Sequence, residues 1–581
     1  MASEIFGSAE APIPSPALQT VAQLLEQRSA DERPALHFEG AEWSWRQVVA
    51  EARARAGLLN QFGGNGPVHV GILLENTAEY VFLLAGAALS GAVVIGCNPT
   101  RRGEELARDV RSTDCVLLVT DAGQRPLLDG LDLGMSTDRI LTTDGDVYAA
   151  LVAEGARLAA ARPSLALSPS PSPSPSPSPS PSPSPDDLYL LVFTSGSTGT
   201  PKAVRMSQGR AARAAQRMPF QQDDILYSAM PLFHGNALSS SLFPWMASGA
   251  TMVLRRRFSA SGFLPDVRQH GATFMNTVGR AVTHILATEP TDLDRDHQLR
   301  YVLGPETSAT DKAEFTRRFG VPLFEGYGSS EGAIVLHPAG DQHPGALGRL
   351  PKGAEAKIVD PVTGNERAVA LFDAHGRLTN PAEAIGELIG RSRHSAFEGY
   401  YKNPEAEAER IRNGWYWSGD LAYADADGIF YFAGRSGDWL RVDSENFTAA
   451  PIERILGRLP GLQGVAVYAV PDTHTGDQVM AALEFDQRDS FDPETFAAFL
   501  ADQPDLGTKW APRYLRIVGA LPVTGTDKVD KAPLRTEQWS SSDPYWERKD
   551  RASSYTVMSR ADLAALRDEF TASGRAALLT S

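Results

Sequence analysis

The sequence predicts an α/β protein with more than one domain. Its 581 residues are several times the roughly 150 residues of a common single domain. Helical patterns alternate with short apolar, strand-like runs from residue 17 to about 160, and the alternation returns from residue 188 to about 434. Strands that alternate with helices form largely parallel sheets covered by helices. We therefore expect sheets flanked by helices over most of the chain.

Charge and cysteine content exclude several classes of protein. The chain has 55 Lys and Arg against 71 Asp and Glu, a formal net charge of −16, and its longest basic run is Arg255–Arg257. Binding to a nucleic-acid backbone or an anionic membrane therefore has no electrostatic support. Cys97 and Cys115 are too few for a disulfide framework or a four-thiolate zinc site, so a reducing compartment, the cytoplasm, is the expected location.

The amino-terminal elements follow from periodicity and apolar runs. Residues 1–16 have no basic residue and no long apolar core, so we expect a disordered terminus and not a secretory signal. Val81–Cys97 is apolar over 17 residues, fewer than the ~20 that a membrane-spanning helix needs. It predicts a buried helix that leads into a strand. The other predicted helices are Leu18–Arg28, Trp45–Leu59 and Gly103–Arg111, and the predicted strands are Val68–Leu74 and Cys115–Thr120.

A low-complexity segment interrupts this pattern. Nine consecutive Ser-Pro pairs run from Ser168 to Pro185. Proline at every second position fixes φ and removes backbone donors, which predicts a solvated polyproline II linker outside any core. A docking motif is the alternative interpretation. After it, the apolar run Leu188–Phe193 predicts a buried strand.

A second, smaller domain of mixed α and β structure is predicted over residues 435–581. Its segment up to Arg535 has its own strand-like run GVAVYAV and helix-like run ETFAAFLAD. Its tail predicts a helix that starts at a capping box of Ser559 and Asp562 and stops at Gly574. The apolar face of that helix consists of Leu563, Leu566 and Phe570.

The loop TSGSTGTPK, directly after the strand Leu188–Phe193, has the groups that a triphosphate requires. It combines hydroxyls, glycines that let backbone N–H groups approach a ligand, and one cation. Its spacing is not the Walker pattern, which disfavours an ordinary P-loop NTPase. A plain Gly/Ser connector is the alternative. The residues are Thr194, Ser195, Gly196, Ser197, Thr198, Gly199 and Lys202.

This loop closely resembles the phosphate loop of the adenylate-forming superfamily, which includes acyl-CoA synthetases, luciferases and nonribosomal-peptide adenylation domains. The motifs PLFHGNAL, EGYGSSEG, GWYWSGDL and PVTGTDKVDK follow in the order of that superfamily. The chain looks most like bacterial relatives of the fatty-acid-transport and very-long-chain acyl-CoA synthetase branch. The resemblance implies a large N-terminal adenylation domain over 17–434, with the Ser-Pro linker inside it, and a mobile C-terminal domain.

The activity implied by the resemblance is that of an ATP-dependent carboxylate–CoA ligase. A carboxylate attacks the α-phosphorus of ATP to give an acyl adenylate and pyrophosphate, and the thiol of coenzyme A then displaces AMP. The implied small molecules are ATP, Mg²⁺, coenzyme A and a long-chain or bulky apolar carboxylic acid. No nucleic-acid partner and no integral membrane span are expected.

The resemblance also implies a role for each matching residue. Glu331 corresponds to the magnesium-binding glutamate, and Ser330 keeps a hydroxyl that can reach the α-phosphate. Tyr327 supplies a flat face for adenine, Asp420 accepts the ribose hydroxyls, and Arg435 contacts ribose and phosphate.

Three further residues complete the predicted site. Lys528 matches the mobile lysine that bridges the carboxylate and the α-phosphate, although Asp527 precedes it where the family has Gly. His234 gates or lines the carboxylate end of the acyl pocket, and Gly304 belongs to the nucleotide site and the pocket lining. Arg255–Arg257 are either contacts for coenzyme A phosphates or a solvated charged edge.

Two alternative functions stay open from the sequence. Ser444 stands where a Gly lines the thiol tunnel of the family, so the acceptor is alternatively a carrier-protein thiol, an amine or another nucleophile. Gly437 replaces the usual hinge Asp or Lys, which together with the transport branch suggests a non-catalytic lipid-binding or uptake protein. The identity of the acid and the oligomeric state, a homodimer included, are not determined by the sequence.

Overall fold

The structure is a computed structural model that describes residues 20–579 with internal gaps. Residues 1–19, most of the Ser-Pro linker and most of the predicted phosphate loop lie outside the described residues, as do Gly437, Ser444 and Asp527. The gaps are 65, 162–181, 195–201, 308, 340–342, 344, 375, 377, 393–396, 436–438, 443–444, 474–476, 486–490, 504–505, 507–509, 525–527 and 550–553.

Helices and strands alternate through the first half of the described chain. The helices are α1 Val21–Glu26, α2 Trp45–Asn60, α3 Ala78–Ser90, α4 Gly103–Arg111, α5 Asp146–Ala160, α6 Gln208–Ala215, α7 Gly235–Ala237, α8 Phe243–Ser248, α9 Ala260–His270, α10 Gly279–Leu286 and α11 Ala309–Phe319. The strands are β1 Pro34–Phe38, β2 Ala41–Ser44, β3 His69–Leu73, β4 Val93–Gly96, β5 Leu117–Thr120, β6 Ile140–Thr142, β7 Leu188–Thr194, β8 Lys202–Ser207, β9 Ile225–Ser228, β10 Thr251–Leu254, β11 Phe274–Asn276, β12 Tyr301–Leu303 and β13 Leu323–Phe324. These bounds agree with the predicted elements to within a few residues.

Strands predominate in the second half. They are β14 Tyr327–Gly328, β15 Val335–Leu336, β16 Ala346–Arg349, β17 Ala354–Val359, β18 Gly386–Ser392, β19 Ile411–Arg412, β20 Trp415–Ala424, β21 Ile429–Arg435, β22 Trp439–Val442, β23 Glu445–Thr448, β24 Leu462–Pro471, β25 Asp477–Phe485, β26 Tyr514–Val518, β27 Tyr545–Glu547 and β28 Thr556–Val557. The helices are α12 Pro381–Ala384, α13 Pro404–Arg410, α14 Ala449–Leu456, α15 Pro493–Ala501, α16 Lys531–Glu537 and α17 Arg560–Ala572.

The chain divides into two compact units. Unit 1 comprises residues 1–305, 314–335 and 392–411, and unit 2 comprises 306–313, 336–391 and 412–581. The boundary at residues 434 and 435 stays a prediction.

Unit 1 contains two largely parallel sheets, which confirms the predicted fold class. One has the strand order β13-β12-β11-β9-β10-β1-β2, and all its neighbours are parallel except β1 and β2. The other has the order β6-β5-β3-β4-β7-β8, with only β7 and β8 antiparallel. One large apolar cluster includes side chains from both sheets and from α1, α2 and α3.

The apolar stretch Val81–Cys97 is a buried helix followed by a strand, as predicted. Thr77 caps the N-terminus of α3, and Gly91 ends the helix with φ of 75°. The strand β4 follows and is fully buried. Within the described residues, no helix has both the length and the apolar character that crossing a membrane requires.

Unit 2 contains mixed and antiparallel sheets. One has the order β16-β21-β20-β18-β17, and another has the order β24-β25-β26-β27-β28, with apolar clusters on both of its faces. The tail helix α17 begins at the predicted capping box of Ser559 and Asp562. It buries Leu566 and Phe570, and Gly574 follows it with φ of 72°.

The helices α2 and α5 touch through two glycines. A Cβ on Gly155 would lie 2.7 Å from the backbone N of Leu58, and a Cβ on Gly57 would lie 2.7 Å from Cα of Gly155. Both obstacles are backbone atoms, so rotation of a side chain cannot relieve the clash. The close contact between these helices therefore requires glycine on both sides.

We expect Gly155→Ala to destabilise unit 1 by about 1–3 kcal/mol, because the added methyl group forces two packed helices apart. The measurement is the midpoint of thermal unfolding, recorded by calorimetry. Gly64→Ala is the matched control. A Cβ on Gly64 meets no described atom within 4 Å. Equal midpoints for the two variants would contradict the proposed packing constraint.

Candidate functional site

Several predicted site residues follow the carboxyl ends of neighbouring parallel strands in unit 1. The loop after β9 carries His234, the loop after β12 begins with Gly304, and Tyr327 follows β13 by a short distance in sequence. The strands β13, β12, β11 and β9 are adjacent in that order. Loops at the carboxyl edge of a parallel sheet commonly form ligand sites in α/β proteins.

The loop that carries His234 is fixed by a buried asparagine that sequence reasoning missed. Asn76 Nδ2 donates to the carbonyl of Met230 at 3.0 Å, and Leu232 N donates to Asn76 Oδ1 at 2.9 Å. The next residue after His234 is Gly235, where a Cβ would lie 3.0 Å from Ser330 Oγ. The structure therefore brings the His234 loop and Ser330 together.

Arg210 supports the segment that contains Ser330 and Glu331. The residue is 4% exposed, and its guanidinium donates to the carbonyls of Arg205, at 2.7 Å, and of Ser330. Burial lowers the pKa of Arg210 to about 10, and the carboxylates of Glu398 and Glu331 oppose that shift. Arg210 thus stays charged near neutral pH and places a positive charge beneath this segment.

Tyr400 contacts two predicted site residues. Its hydroxyl donates to Glu331 Oε1 at 2.9 Å, and Lys202 Nζ lies 5.5 Å from the centroid of its ring. Burial raises the pKa of the Tyr400 hydroxyl, and the charge of Glu331 raises it further, so the hydroxyl remains a donor. Glu331 and Lys202 are each 7% exposed, and Lys202 Nζ also pairs with Glu409 Oε2 at 3.4 Å. Tyr400 therefore contacts a carboxylate through its hydroxyl and an ammonium group through its ring face.

The two ends of the predicted phosphate loop are held by a hairpin. Thr194 on β7 lies opposite Lys202 on β8, and Thr194 Oγ1 donates to the carbonyl of Lys202 at 3.5 Å. The residues between them lie outside the described residues, so their predicted role stays a prediction: Ser195, Gly196, Ser197, Thr198 and Gly199.

In unit 2, Asp420 and Arg435 lie directly opposite each other on the antiparallel strands β20 and β21. Gly419 N donates to Glu387 Oε1 at 2.9 Å, and Asp420 N donates to Ser418 Oγ at 3.0 Å. These bonds fix the backbone beside Asp420. The side chain of Arg435 lies outside the described residues.

Lys528 stands on a separate turn of unit 2. Thr524 N donates to the carbonyl of Lys528 at 2.7 Å, and Lys528 N donates to Thr524 Oγ1 at 3.3 Å. Lys528 Nζ pairs with Glu306 Oε1 at 2.7 Å, where the two side chains are 32% and 50% exposed. Glu306 is a further residue that sequence reasoning missed. The turn therefore presents an accessible ammonium group.

The basic run Arg255–Arg257 pairs with acidic side chains. Arg255 Nη2 lies 2.7 Å from Asp266 Oδ1, and Arg256 Nε lies 2.7 Å from Glu39 Oε1. Arg257 pairs with Glu75. These ion pairs support the interpretation of this run as a charged edge.

Family models match most of the chain. The model of the AMP-binding enzyme matches residues 25–401, and that of the AMP-binding enzyme C-terminal domain matches residues 451–528. A steroid-22-oyl-CoA synthetase of Rhodococcus jostii (strain RHA1) is 49% identical over 96% of this chain and 98% of its own. A medium/long-chain-fatty-acid–CoA ligase, FadD17, of Mycobacterium marinum is 40% identical over 92% of this chain and 99% of its own.

Solved structures share the fold at low identity. The anthranilate CoA ligase AuaEII in complex with anthranoyl-AMP is 22% identical, with a TM-score of 0.74 over 92% of this chain and 98% of its own. The amide bond synthetase McbA from Marinactinospora thermotolerans is 23% identical, with a TM-score of 0.71 over 90% of this chain and 99% of its own. These two likenesses establish the architecture alone.

We expect Arg210→Lys to loosen the Ser330 segment, because one ammonium cannot donate to both carbonyls as the guanidinium fork does. Amide hydrogen exchange of residues 329–332 should accelerate about tenfold, which corresponds to one charge-assisted hydrogen bond. Arg213→Lys is the matched control, since Arg213 is exposed on the same helix. Unchanged exchange in Arg210→Lys would refute the supporting role.

Proposed function

Because this chain belongs to the AMP-binding enzyme family, we propose that it is an ATP-dependent acyl-CoA synthetase acting on a bulky apolar carboxylic acid. The chain is an AMP-forming ligase. The observation that carries the proposal is the pair of relatives of nearly equal length, both acyl-CoA ligases in name, at 49% and 40% identity. The names of both relatives imply acids with a large apolar body.

The reaction has two halves that balance separately. In the first half, a carboxylate oxygen bonds to the α-phosphorus of ATP, and the bond to the β-phosphate oxygen breaks to release pyrophosphate. In the second half, the sulfur of coenzyme A bonds to the acyl carbon, its proton leaves, and AMP departs. Both halves gather negative charge, so positioned cations and donors supply most of the catalysis.

We assign the phosphate end of the nucleotide to Lys202, Ser330 and Glu331. Lys202 offers a positive charge and Ser330 a hydroxyl, while Tyr400 and Arg210 hold Glu331 and the Ser330 segment in place. Glu331 fits a Mg²⁺ ion, because its carboxylate is a hard oxygen ligand and Mg²⁺ takes one or two carboxylates together with substrate phosphates. A bound Mg²⁺ would supply charge neutralisation on those phosphates.

The remaining predicted residues bind the nucleoside and the acid. Tyr327 offers a ring to adenine, and Asp420 and Arg435 offer a carboxylate and a guanidinium to ribose. Gly304 lets a ligand approach the backbone closely, and His234 lies where the loop after β9 approaches Ser330. Lys528 supplies the ammonium that bridges the attacking carboxylate and the α-phosphate.

The direct test is acid-dependent pyrophosphate release over a panel of fatty, aromatic and sterol-derived acids, with and without coenzyme A. We expect release with bulky apolar acids and a thioester when coenzyme A is present. Release without a thioester would favour another acceptor, such as a carrier-protein thiol or an amine. No release with any acid would overturn the proposal and favour lipid binding without catalysis.

We expect Lys528→Ala to slow adenylation about 10²–10⁴-fold, the scale of one well-placed charge in a transition state. Thioester formation from a supplied acyl adenylate should continue, because that half has no carboxylate left to bridge. Each half-reaction is measured separately, by pyrophosphate release and by thioester yield.

The exposed Lys549 gives the control variant Lys549→Ala, which removes a lysine of the same unit and should leave both halves unchanged. An equal loss of both halves in Lys528→Ala would show that Lys528 does not act in adenylation specifically.

A further inference from the structure

The strand β11 lies in the middle of the site edge, yet it contributes none of the predicted site residues. It stands between β9, which leads to the His234 loop, and β12, which leads to Gly304. Its last residue, Asn276, lies opposite Ser228 of β9 on one side and Leu303 of β12 on the other. Neighbouring strands are about 4.8 Å apart, so Asn276 is one strand away from the residue that precedes Gly304.

Asn276 and Ser228 have buried polar side chains that find no hydrogen-bond partner in the part of the chain that the structure describes. Both are 0% exposed. Within the described residues, neither Oδ1 nor Nδ2 of Asn276 has a hydrogen-bond partner, and Ser228 Oγ also has none. Asparagine offers two donor hydrogens and a carbonyl acceptor, and serine offers one donor and an acceptor. Native proteins rarely leave such groups unmatched unless a ligand or a water binds them.

The surroundings of this pair are apolar. Residues opposite each other in a ladder point to the same face of a sheet, so Asn276 and Ser228 share one face. Two residues back along the same strands, that face presents Phe274 and Leu226, which are buried in the large apolar cluster. Phe274 packs against Tyr301 of β12 in a tilted arrangement, with ring centroids 5.2 Å apart. Asn276 and Ser228 thus lie at the end of an apolar sheet face, close to the loops of the proposed site.

We propose that Asn276 and Ser228 bind a hydroxyl or keto oxygen carried on the hydrocarbon body of the acid substrate. This inference rests on the proposed function and narrows its substrate class to oxygenated apolar acids. The amide can donate to a keto oxygen, and the pair can both donate to and accept from a hydroxyl. An acid without the oxygen leaves these groups unmatched in an apolar environment, which penalises its binding.

The test uses the full-length protein and pairs of acids that differ only in one hydroxyl or keto group, with its position varied across the set. The measurement is kcat/KM for acid-dependent pyrophosphate release. We expect the preferred oxygenated acid to exceed its unsubstituted partner by at least about tenfold. Asn276→Leu should reduce that ratio by about tenfold or more, chiefly through a higher KM for the oxygenated acid.

Two further variants keep the test decisive. Met275→Leu changes the neighbouring buried residue, which belongs to the apolar cluster on the other face of the sheet, and should preserve the ratio. Ser228→Ala removes one hydroxyl and should lower the ratio in part, and it carries the test if Asn276→Leu does not fold.

The outcomes separate this inference from the proposed function. No preference for any oxygenated acid in the wild-type protein would overturn the inference while leaving acyl-CoA synthesis intact. A preference that survives in both Asn276→Leu and Ser228→Ala would also overturn it, and would leave the pair as the binding place of a structural water. No pyrophosphate release with any acid would overturn the proposed function itself.

Discussion

Parallel pairing puts the last residues of four strands in one row, and the proposed site of unit 1 is arranged along that row. Each strand end is the register partner of the next one across β9, β11, β12 and β13: Ser228, Asn276, Leu303 and Phe324. Because the strands are parallel, the chain leaves each of them at the same edge. Four segments that are distant in sequence therefore meet at one edge, where contacts such as Gly279 N to the carbonyl of Pro305, at 2.9 Å, join them further.

The charged groups at this edge are buried and depend on each other. Glu331 has the Tyr400 hydroxyl as a donor, and the Ser330 carbonyl has the Arg210 guanidinium. An isolated buried charge is costly, whereas a paired and hydrogen-bonded one is tolerated. The segment 397–401 therefore matters to the site although it contains none of the predicted residues. Its Tyr400 lies opposite Val204 on β8, the strand that begins with Lys202.

Local patterns determined what could be predicted from the sequence. The helix start and stop signals predicted α17 closely, and apolar periodicity predicted α2, α4 and β7, because each depends on residues near one another in the chain. The proposed site residues came from motifs, and their roles stay predictions. Four residues could not be predicted, because each acts through a partner at least 69 residues away: Asn76, Arg210, Tyr400 and Glu306. No periodicity or spacing encodes such a contact.

Asn276 illustrates where local rules fail for a physical reason. A three-residue strand between two apolar strands should end in an apolar side chain, since burial of an unmatched amide opposes folding. Positions that break a local rule without a compensating contact are often functional. Within the described residues nothing compensates the 0% exposed amide, and we assign that role to a ligand. The same row of strand ends leads into the proposed nucleotide loops. Binding of the substrate to the Asn276 amide would therefore offset the free energy lost by burying that amide, at the place where the proposed reaction occurs.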